Sequence, residues 1–480
     1  MLAMLNAAVL ALIPVLAFAS AGHALLYKRD SRSAFAWIAV CVMFPLAGPM
    51  LYFLFGINRV RTRAQELSRK SPFRLGVAFE RGDFGQAGVA INPIDLPEPW
   101  RPFARVSDAL VPRALVQGNH VEPLYNGEGA FPPMLAAIDA AERQILLSTY
   151  IFESNRTGRQ FIAALTRASR RGVDVHVLLD GLGELYSWPR AGRLLTRAGV
   201  DCARFMRPRL LPPSLHINLR NHRKILVVDG EEAFVGGMNI GDRHLVEGHE
   251  SHGVADVHFH LQGPVVTQIQ MIFAEDWRFT TGRMIEPAGS GPVVAEPGRA
   301  ICRACSDGPN EDLDKLSMLL IGAVSIARER IVVMTPYFIP TAALVSALQT
   351  AALRGVRVTI LLPERSNLRF VDWASHNMLW ELLQHGVEIR YQPSPFNHSK
   401  LFFVDDHYAL IGSANIDPRS LRLNFELSVE VFDADLVGEL SAYCRRAVVN
   451  SRRVTLDEVD GRSLPVRVRD AVCWLFSPYL

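Results

Sequence analysis

The residues predict an α/β protein of two similar αβ halves, each a sheet flanked by helices. The halves pack about a pseudo-twofold axis behind an N-terminal pair of membrane helices. Three observations carry this expectation. One phrase of five chemically matched positions occurs twice at identical spacing, a strand–helix–strand order recurs around each copy, and the chain opens with two long uncharged apolar segments. At 480 residues the chain is too long for one ordinary domain.

Residues 2–27 contain no Asp, Glu, Lys or Arg, and neither do residues 34–55. Each is long enough to cross a bilayer core, which takes about 20 apolar residues. Pro14, Pro45 and Pro49 are tolerated in membrane spans. A cleaved signal peptide followed by one anchor is the rival reading. The extreme N-terminus lacks basic residues and a second apolar segment follows at once, which favours a hairpin. Lys28, Arg29 and Arg32 flank the connection, and Arg59, Arg61, Arg63, Arg69, Lys70 and Arg74 follow the second segment. The greater count on the C-terminal side predicts a cytoplasmic catalytic region; the same run also suits anionic headgroups. The expected organisation is a hairpin over 1–58, a polar connector over 59–105, a first half over 106–295 and a second over 296–480.

Within the halves, ILLSTYIFE (145–153) precedes a helical stretch ending RRGVDVHVLLD (170–180), and RIVVMTPYFIP (330–340) precedes one ending LRGVRVTILLP (353–363). Each is followed by a second helix ending in Gly, LLTRAGVDCARF and then LLQHGVEIRYQ. This β-α-β-α-β order predicts a largely parallel or mixed sheet covered by helices. Tyr150 and Tyr337 are expected at equivalent strand ends, lining a cleft or packing in the core. The last segment, LPVRVRDAVCWLFSPYL, reads either as an interfacial helix or as a docked terminal one.

The repeated phrase is HRKILVVDGEEAFVGGMN (222–239) and HSKLFFVDDHYALIGSAN (398–415). In both, Lys follows His by two residues, Asp by seven, Gly by fourteen and Asn by seventeen. The apolar run after each His predicts a hairpin, with His222 and Lys224 on one strand face and His398 and Lys400 on another. A His beside a cation suits an anionic substrate: the Lys binds it while the imidazole attacks or moves protons. Asn239, Ser413 and Asn415 lead into turns that offer donors to phosphate. Asp229 and Asp405 fall where a hairpin turn favours Asp, so a turn role stands beside a chemical one.

The pattern H-x-K-x4-D-x6-G-x2-N, present twice, closely resembles the HKD motif of the phospholipase D superfamily, and the resemblance covers roughly everything after residue 105. It implies one shared site with catalytic residues His222, Lys224, Asp229, His398, Lys400 and Asp405. One His would be the nucleophile and the other the general acid, then base, with a phosphoryl-histidine intermediate, no metal and no cofactor. It also implies that Lys224, Lys400, Asn239 and Asn415 hold phosphate oxygens, with Ser413 beside them. An acidic residue downstream of each motif would orient a His, a place that Glu426 and, more loosely, Asp256 fit.

A finer resemblance is to bacterial cardiolipin synthases of the phospholipase D type. It rests on the hydrophobic N-terminal pair, NHRKILVVDG, GGMNIGD, TPYFIP (335–340) and the terminal SPYL. Arg243 stands where that family usually has Glu, and Val254-Ala255 where it has Trp-Arg; these departures bear on acceptor preference or packing. The resemblance implies transfer of a phosphatidyl group between two phosphatidylglycerol molecules in the bacterial inner membrane, with membrane phospholipids as partners. A hydrolase releasing phosphatidic acid is the alternative.

A net charge of +3 gives no ground for charge-driven nucleic-acid binding. Cys302 and Cys305 form a lone C-x-x-C without further zinc ligands and read as reduced thiols. His249, His252, His258 and His260 read as loop and strand surface residues.

Overall fold

The computed structural model describes residues 2–28, 31–56, 90–92, 96–207, 219–248, 252–289, 298–308 and 314–477. The basic run from Arg59 to Arg74, most of the connector, His249 and the last residues of SPYL lie outside them. The N-terminal helices form one compact unit and the catalytic halves another.

In the first unit, Leu2–Tyr27 is one helix with Pro14 inside it. The second apolar segment is not one helix as expected. Ser31–Met43 stops ahead of Pro45, and a short helix, Ala47–Leu51, resumes beyond it. Proline lacks an N–H and pushes the residue before it out of the helical region. Ala21, Ala24, Cys41 and Tyr52 pack together, and the Tyr52 hydroxyl lies 2.8 Å from His23 Nδ1. The side chains of the first helix are described from residue 12 onward. Among the described residues no helix is long and apolar enough to cross a membrane.

In the second unit, the first half supplies strands β1 (Val116–Tyr125), β2 (Gln144–Thr149), β3 (Asp174–Asp180), β4 (Asp201–Phe205), β5 (Ile225–Val228), β6 (Glu232–Gly236), β7 (Val254–Ala255) and β8 (Val257–Gln262). The second supplies β9 (Ala300–Asp307), β10 (Arg330–Met334), β11 (Arg357–Pro363), β12 (Glu388–Gln392), β13 (Phe396–Asn397), β14 (Leu401–Val404), β15 (Tyr408–Gly412), β16 (Glu426–Phe432) and β17 (Arg452–Arg453). Fifteen of these form one sheet, ordered β17-β12-β11-β10-β14-β15-β16-β9-β1-β8-β6-β5-β2-β3-β4. Read outward from the β9–β1 pair, seven strands on each side correspond in order and β17 is added at one edge, so the pseudo-twofold axis passes through that antiparallel pair.

The expected β-α-β-α-β units are present. β2, β3 and β4 run parallel, as do β10, β11 and β12, and the His-bearing hairpins β5–β6 and β14–β15 add on antiparallel. The helices Arg156–Arg170 and Ala342–Leu353 cover them and are followed by Gly172 and Gly355, both at φ 92°, a left-handed turn that only glycine adopts without strain. β2, β5, β14 and β15 are buried along their whole length, as helix-covered strands should be.

The joining strands were not anticipated. Cys302 and Cys305 lie on β9, at the seam, as buried free thiols; three residues apart on a strand, they point to opposite faces. The connector ends in a helix, Arg101–Leu110, whose Phe103 packs 4.9 Å from the Tyr408 ring. Chain that precedes the first half thus completes the core of the second. The terminal segment is a helix, Leu464–Leu475, whose buried Asp470 is held by Arg462 and Arg469.

Candidate active site

Each motif histidine sits just before its strand. Strands β5 and β14 begin one residue after Lys224 and Lys400, a correction to the expectation that His and Lys share a strand face. The cause is local. Asn221 and Asn397 precede the histidines, and their side-chain oxygens accept the N–H of Arg223 and Ser399, bending the chain into a turn.

The two halves then cross. The His222 N–H donates to the Phe425 carbonyl at 2.9 Å, and the His398 N–H to the Ala255 carbonyl at 2.7 Å. Each acceptor is the residue just before the other half's carboxylate. The His222 ring consequently meets Glu426 (Nδ1–Oε2 3.0 Å), and the His398 ring meets Asp256 (Nδ1–Oδ2 2.9 Å). The pairing is therefore crossed: the carboxylate downstream of each motif holds the other motif's histidine. With Nδ1–H donating to a carboxylate, Nε2 keeps its lone pair for chemistry.

Lys224 Nζ donates to the His222 carbonyl at 2.6 Å, and Lys400 Nζ donates to the His398 carbonyl. Burial, with the like charge of Lys400, brings the Lys224 ammonium down to about 7; burial brings Lys400 down to about 8. Burial lowers both imidazoles, aided by the lysine charges and opposed at His222 by Glu426. Burial also pushes both carboxyls up. At Glu426 the His222 partner, Lys224 and the Ser413 hydroxyl outweigh it, and this carboxyl lies below its usual range; Asp256 stays raised.

Asn239 and Asn415 are both buried. Asn239 Oδ1 accepts from the Ile151 N–H at 3.1 Å, and Asn415 Nδ2 donates to Ser420 at 3.3 Å. Ser413, expected beside the phosphate, instead donates to Glu426 Oε2 at 2.6 Å.

Asp229 and Asp405 do not join the site. The strands carry them about 16 Å beyond the lysines. They adopt φ 53° and 51° at the hairpin turns. Asp229 accepts the N–H groups of Glu142, Arg143 and Gln144, and Asp405 those of Arg328, Glu329 and Arg330. Each pins the loop entering the neighbouring strand, so the turn role is the one the structure supports and the catalytic assignment is corrected.

Tyr150 and Tyr337 approach His222 and His398 with ring centroids at 5.3 and 6.3 Å. They are not equivalent, however. Thr149 and Thr335 hydroxyls bond the carbonyls of Ile151 and Tyr337, so Tyr337 aligns with Ile151. His258 is buried with Nδ1 unpartnered, not a surface residue; His260 pairs with Glu232 at 2.7 Å. Sequence reading missed His244, whose Nε2 accepts the Asn239 N–H at 3.2 Å, a role that burial supports by lowering it to about 3. It also missed Arg223, whose guanidinium binds Asp276 at 2.6 Å and the Glu426 carbonyl at 2.9 Å.

Residues 134–277 and 320–448 match the family model described as cardiolipin synthase, PLD-like domain, and residues 9–56 match the phospholipase D-nuclease N-terminal model. A cardiolipin synthase of Geobacillus kaustophilus is 32% identical over 460 residues, covering 95% of this chain and 90% of its own. Cardiolipin synthase A of Pseudomonas aeruginosa is 33% identical over 464 residues, covering 93% and 90%. The phosphatidylserine synthase structure of Haemophilus influenzae superposes with a TM-score of 0.62 at 14% identity, covering 79% of this chain and 100% of that one, a likeness of fold.

Proposed function

The chain belongs to the phospholipase D-like cardiolipin synthase family, and on that premise we propose that it transfers a phosphatidyl group between two phosphatidylglycerol molecules, yielding cardiolipin and glycerol. The observation that carries the chemistry is the crossed pair of His–carboxylate bonds, which presents two free Nε2 atoms to one cleft beside two lysines.

In the first step one Nε2 attacks phosphorus and the P–O bond to the glycerol headgroup breaks. The departing oxygen takes a proton from the Nε2–H of the other imidazole. The lone proton this requires is supplied on binding. In the empty site burial and the lysines disfavour imidazolium, whereas a bound phosphate anion favours it. In the second step the terminal hydroxyl of another phosphatidylglycerol attacks the phosphatidyl-histidine. The now-neutral imidazole accepts its proton and the P–N bond breaks, restoring both histidines. Lys224, Lys400, Asn239 and Asn415 are the groups we assign to the phosphate oxygens.

We place residues 2–27 and 34–55 in the inner membrane as a hairpin with the catalytic unit on the cytoplasmic side. Their lack of charge and the N-terminal family match support this. Both substrates are bilayer lipids, so tethering raises their effective concentration.

The test uses purified protein in detergent micelles with radiolabelled phosphatidylglycerol as the sole lipid. Cardiolipin and glycerol are the expected products, absent with His222→Ala. Phosphatidic acid alone would make water the acceptor and the protein a hydrolase.

A further inference from the structure

The two halves part company at one charge. Asn239 and Asn415 are each followed, four residues on, by an arginine: Arg243 and Arg419. The backbones around them correspond as well. The Glu153 N–H donates to the Ile240 carbonyl and the Ile339 N–H to the Ile416 carbonyl, so Glu153 and Ile339 hold the same place. In the first half Arg243 is ion-paired with Glu153. In the second half the counter-ion's place is taken by Ile339. Arg419 forms no ion pair among the described residues, and its Nε is buried without a partner.

A second arginine lies alongside. Arg220 precedes His222 by two residues, where the other half has Phe396 before His398. The Phe425 N–H donates to the Arg220 carbonyl and the Asn424 N–H to the Arg419 carbonyl, both at 2.8 Å, so adjacent backbone amides tie the two segments together. Arg220 is half-buried, and its guanidinium meets only the Leu219 carbonyl among the described residues. Asp417, an acidic neighbour, uses Oδ1 to cap the Pro418–Arg422 helix through the Ser420 N–H. Burial and the charge of Arg220 weigh against the Arg419 cation and outweigh Asp417, which favours it. Tyr150, whose ring lies tilted 5.3 Å from His222, and Tyr186 are within electrostatic reach of the pair.

We propose that Arg220 and Arg419 form a second anion site, on the His222 side of the cleft, that holds the phosphodiester of the acceptor phosphatidylglycerol while its terminal hydroxyl attacks. This rests on the synthase reading above. Asp417 and Asp180 lie within electrostatic reach of Arg419 and Arg220, but their oxygens accept backbone N–H groups and neither forms an ion pair with these arginines among the described residues. The adjacent, partly desolvated guanidinium groups therefore keep donors for an anion, and their planar fork fits phosphate oxygens. The reacting phosphorus is already served, because it must touch both imidazoles and thus the Lys224 and Lys400 pair. The acceptor brings a second phosphodiester one glycerol unit away, and cardiolipin carries both. Water and simple alcohols bring none. The site thereby favours a lipid acceptor over water.

The experiment sets phosphatidylglycerol against ethanol as competing acceptors in micelles of labelled phosphatidylglycerol and reads the ratio of cardiolipin to phosphatidylethanol. Arg220→Gln and Arg419→Gln should each lower the ratio about tenfold, with Arg419→Lys recovering much of it. Ile339→Glu, which restores the missing counter-ion while leaving Arg419 in place, should lower it too. Because both products pass through the same intermediate, partial loss of folded enzyme leaves the ratio intact. An unchanged ratio in the glutamine variants would overturn the second anion site. A wild-type protein making phosphatidylethanol but no cardiolipin would instead overturn the synthase reading, and that result is seen before any variant is compared.

Discussion

The His222 and His398 sides of the cleft descend from one repeated phrase and yet are built differently. His222 leans on Glu426, whose oxygens are held by Ser413 at 2.6 Å and Asn424 at 3.1 Å. His398 leans on the shorter Asp256, and Lys400 Nζ stands 2.7 Å from its Nδ1. Gly237 occupies the place of Ser413. A Cβ there would lie 2.6 Å from Asp256 Oδ2 and 2.9 Å from Lys400 Nζ, so this side has no room for a serine. Arg220 stands two residues before His222 and acts electrostatically on Arg419, and neither forms an ion pair among the described residues, whereas Phe396 stands two residues before His398 and Arg243 is paired with Glu153. Duplication supplied two matching imidazoles; divergence gave them unequal electrostatic surroundings, as two steps with different acceptors require.

His222→Ala and His398→Ala should each lower kcat by at least about 10³-fold, since one removes the nucleophile and the other the proton donor. Near-normal turnover in either variant would mean two independent sites. Next come the carboxylates. Glu426→Gln and Asp256→Asn should each cost about 10²–10⁴-fold in kcat by leaving an imidazole misoriented and its positive form unsupported. Because the pairs are crossed, a steady-state pH profile of Glu426→Gln should move with His222, not with the histidine of its own half.

A smaller effect follows from the lysines. In the free enzyme Lys224 loses its proton near pH 7 and Lys400 near pH 8. As pH rises through that window the site loses positive charge, so kcat/KM for an anionic lipid should fall. Lys224→Arg, which stays protonated, should carry the falling limb to higher pH. The smallest kinetic effect belongs to the turns. Asp229→Ala and Asp405→Ala should leave kcat within about threefold while costing about 1–3 kcal/mol each in urea unfolding, because three backbone N–H groups lose their acceptor.

Those turn residues show where sequence reading reaches its limit. Spacing alone located both His/Lys/Asn sets and the strand–helix alternation, because those depend on local periodicity. The crossed carboxylates depend on β7 pairing with β13 and on the Asn221–Phe425 bridge, contacts between segments far apart in sequence. No local pattern announces them. Asp229 and Asp405 recur faithfully in the motif because the hairpin turn needs a left-handed residue whose carboxylate caps backbone amides, a structural constraint as strict as a catalytic one. β9 escaped notice because its C-x-x-C drew attention to thiol chemistry, while its work is to join the two halves of the sheet through β1. The charge difference at Arg419 was also out of reach. It requires knowing that Ile339, not a residue near Arg419 in sequence, fills the place of Glu153.

If the two repeats make one site, not two, each polypeptide carries a single nucleophile. Rapid acid- or base-quench of the enzyme mixed with phosphatidylglycerol labelled in its acyl chain would count covalent lipid per polypeptide before steady state. Labelling should saturate at or below one phosphatidyl-histidine per chain, and only one of the two single His→Ala variants should still take label. Labelling that approaches two per chain, or label retained by both variants, would contradict the single site.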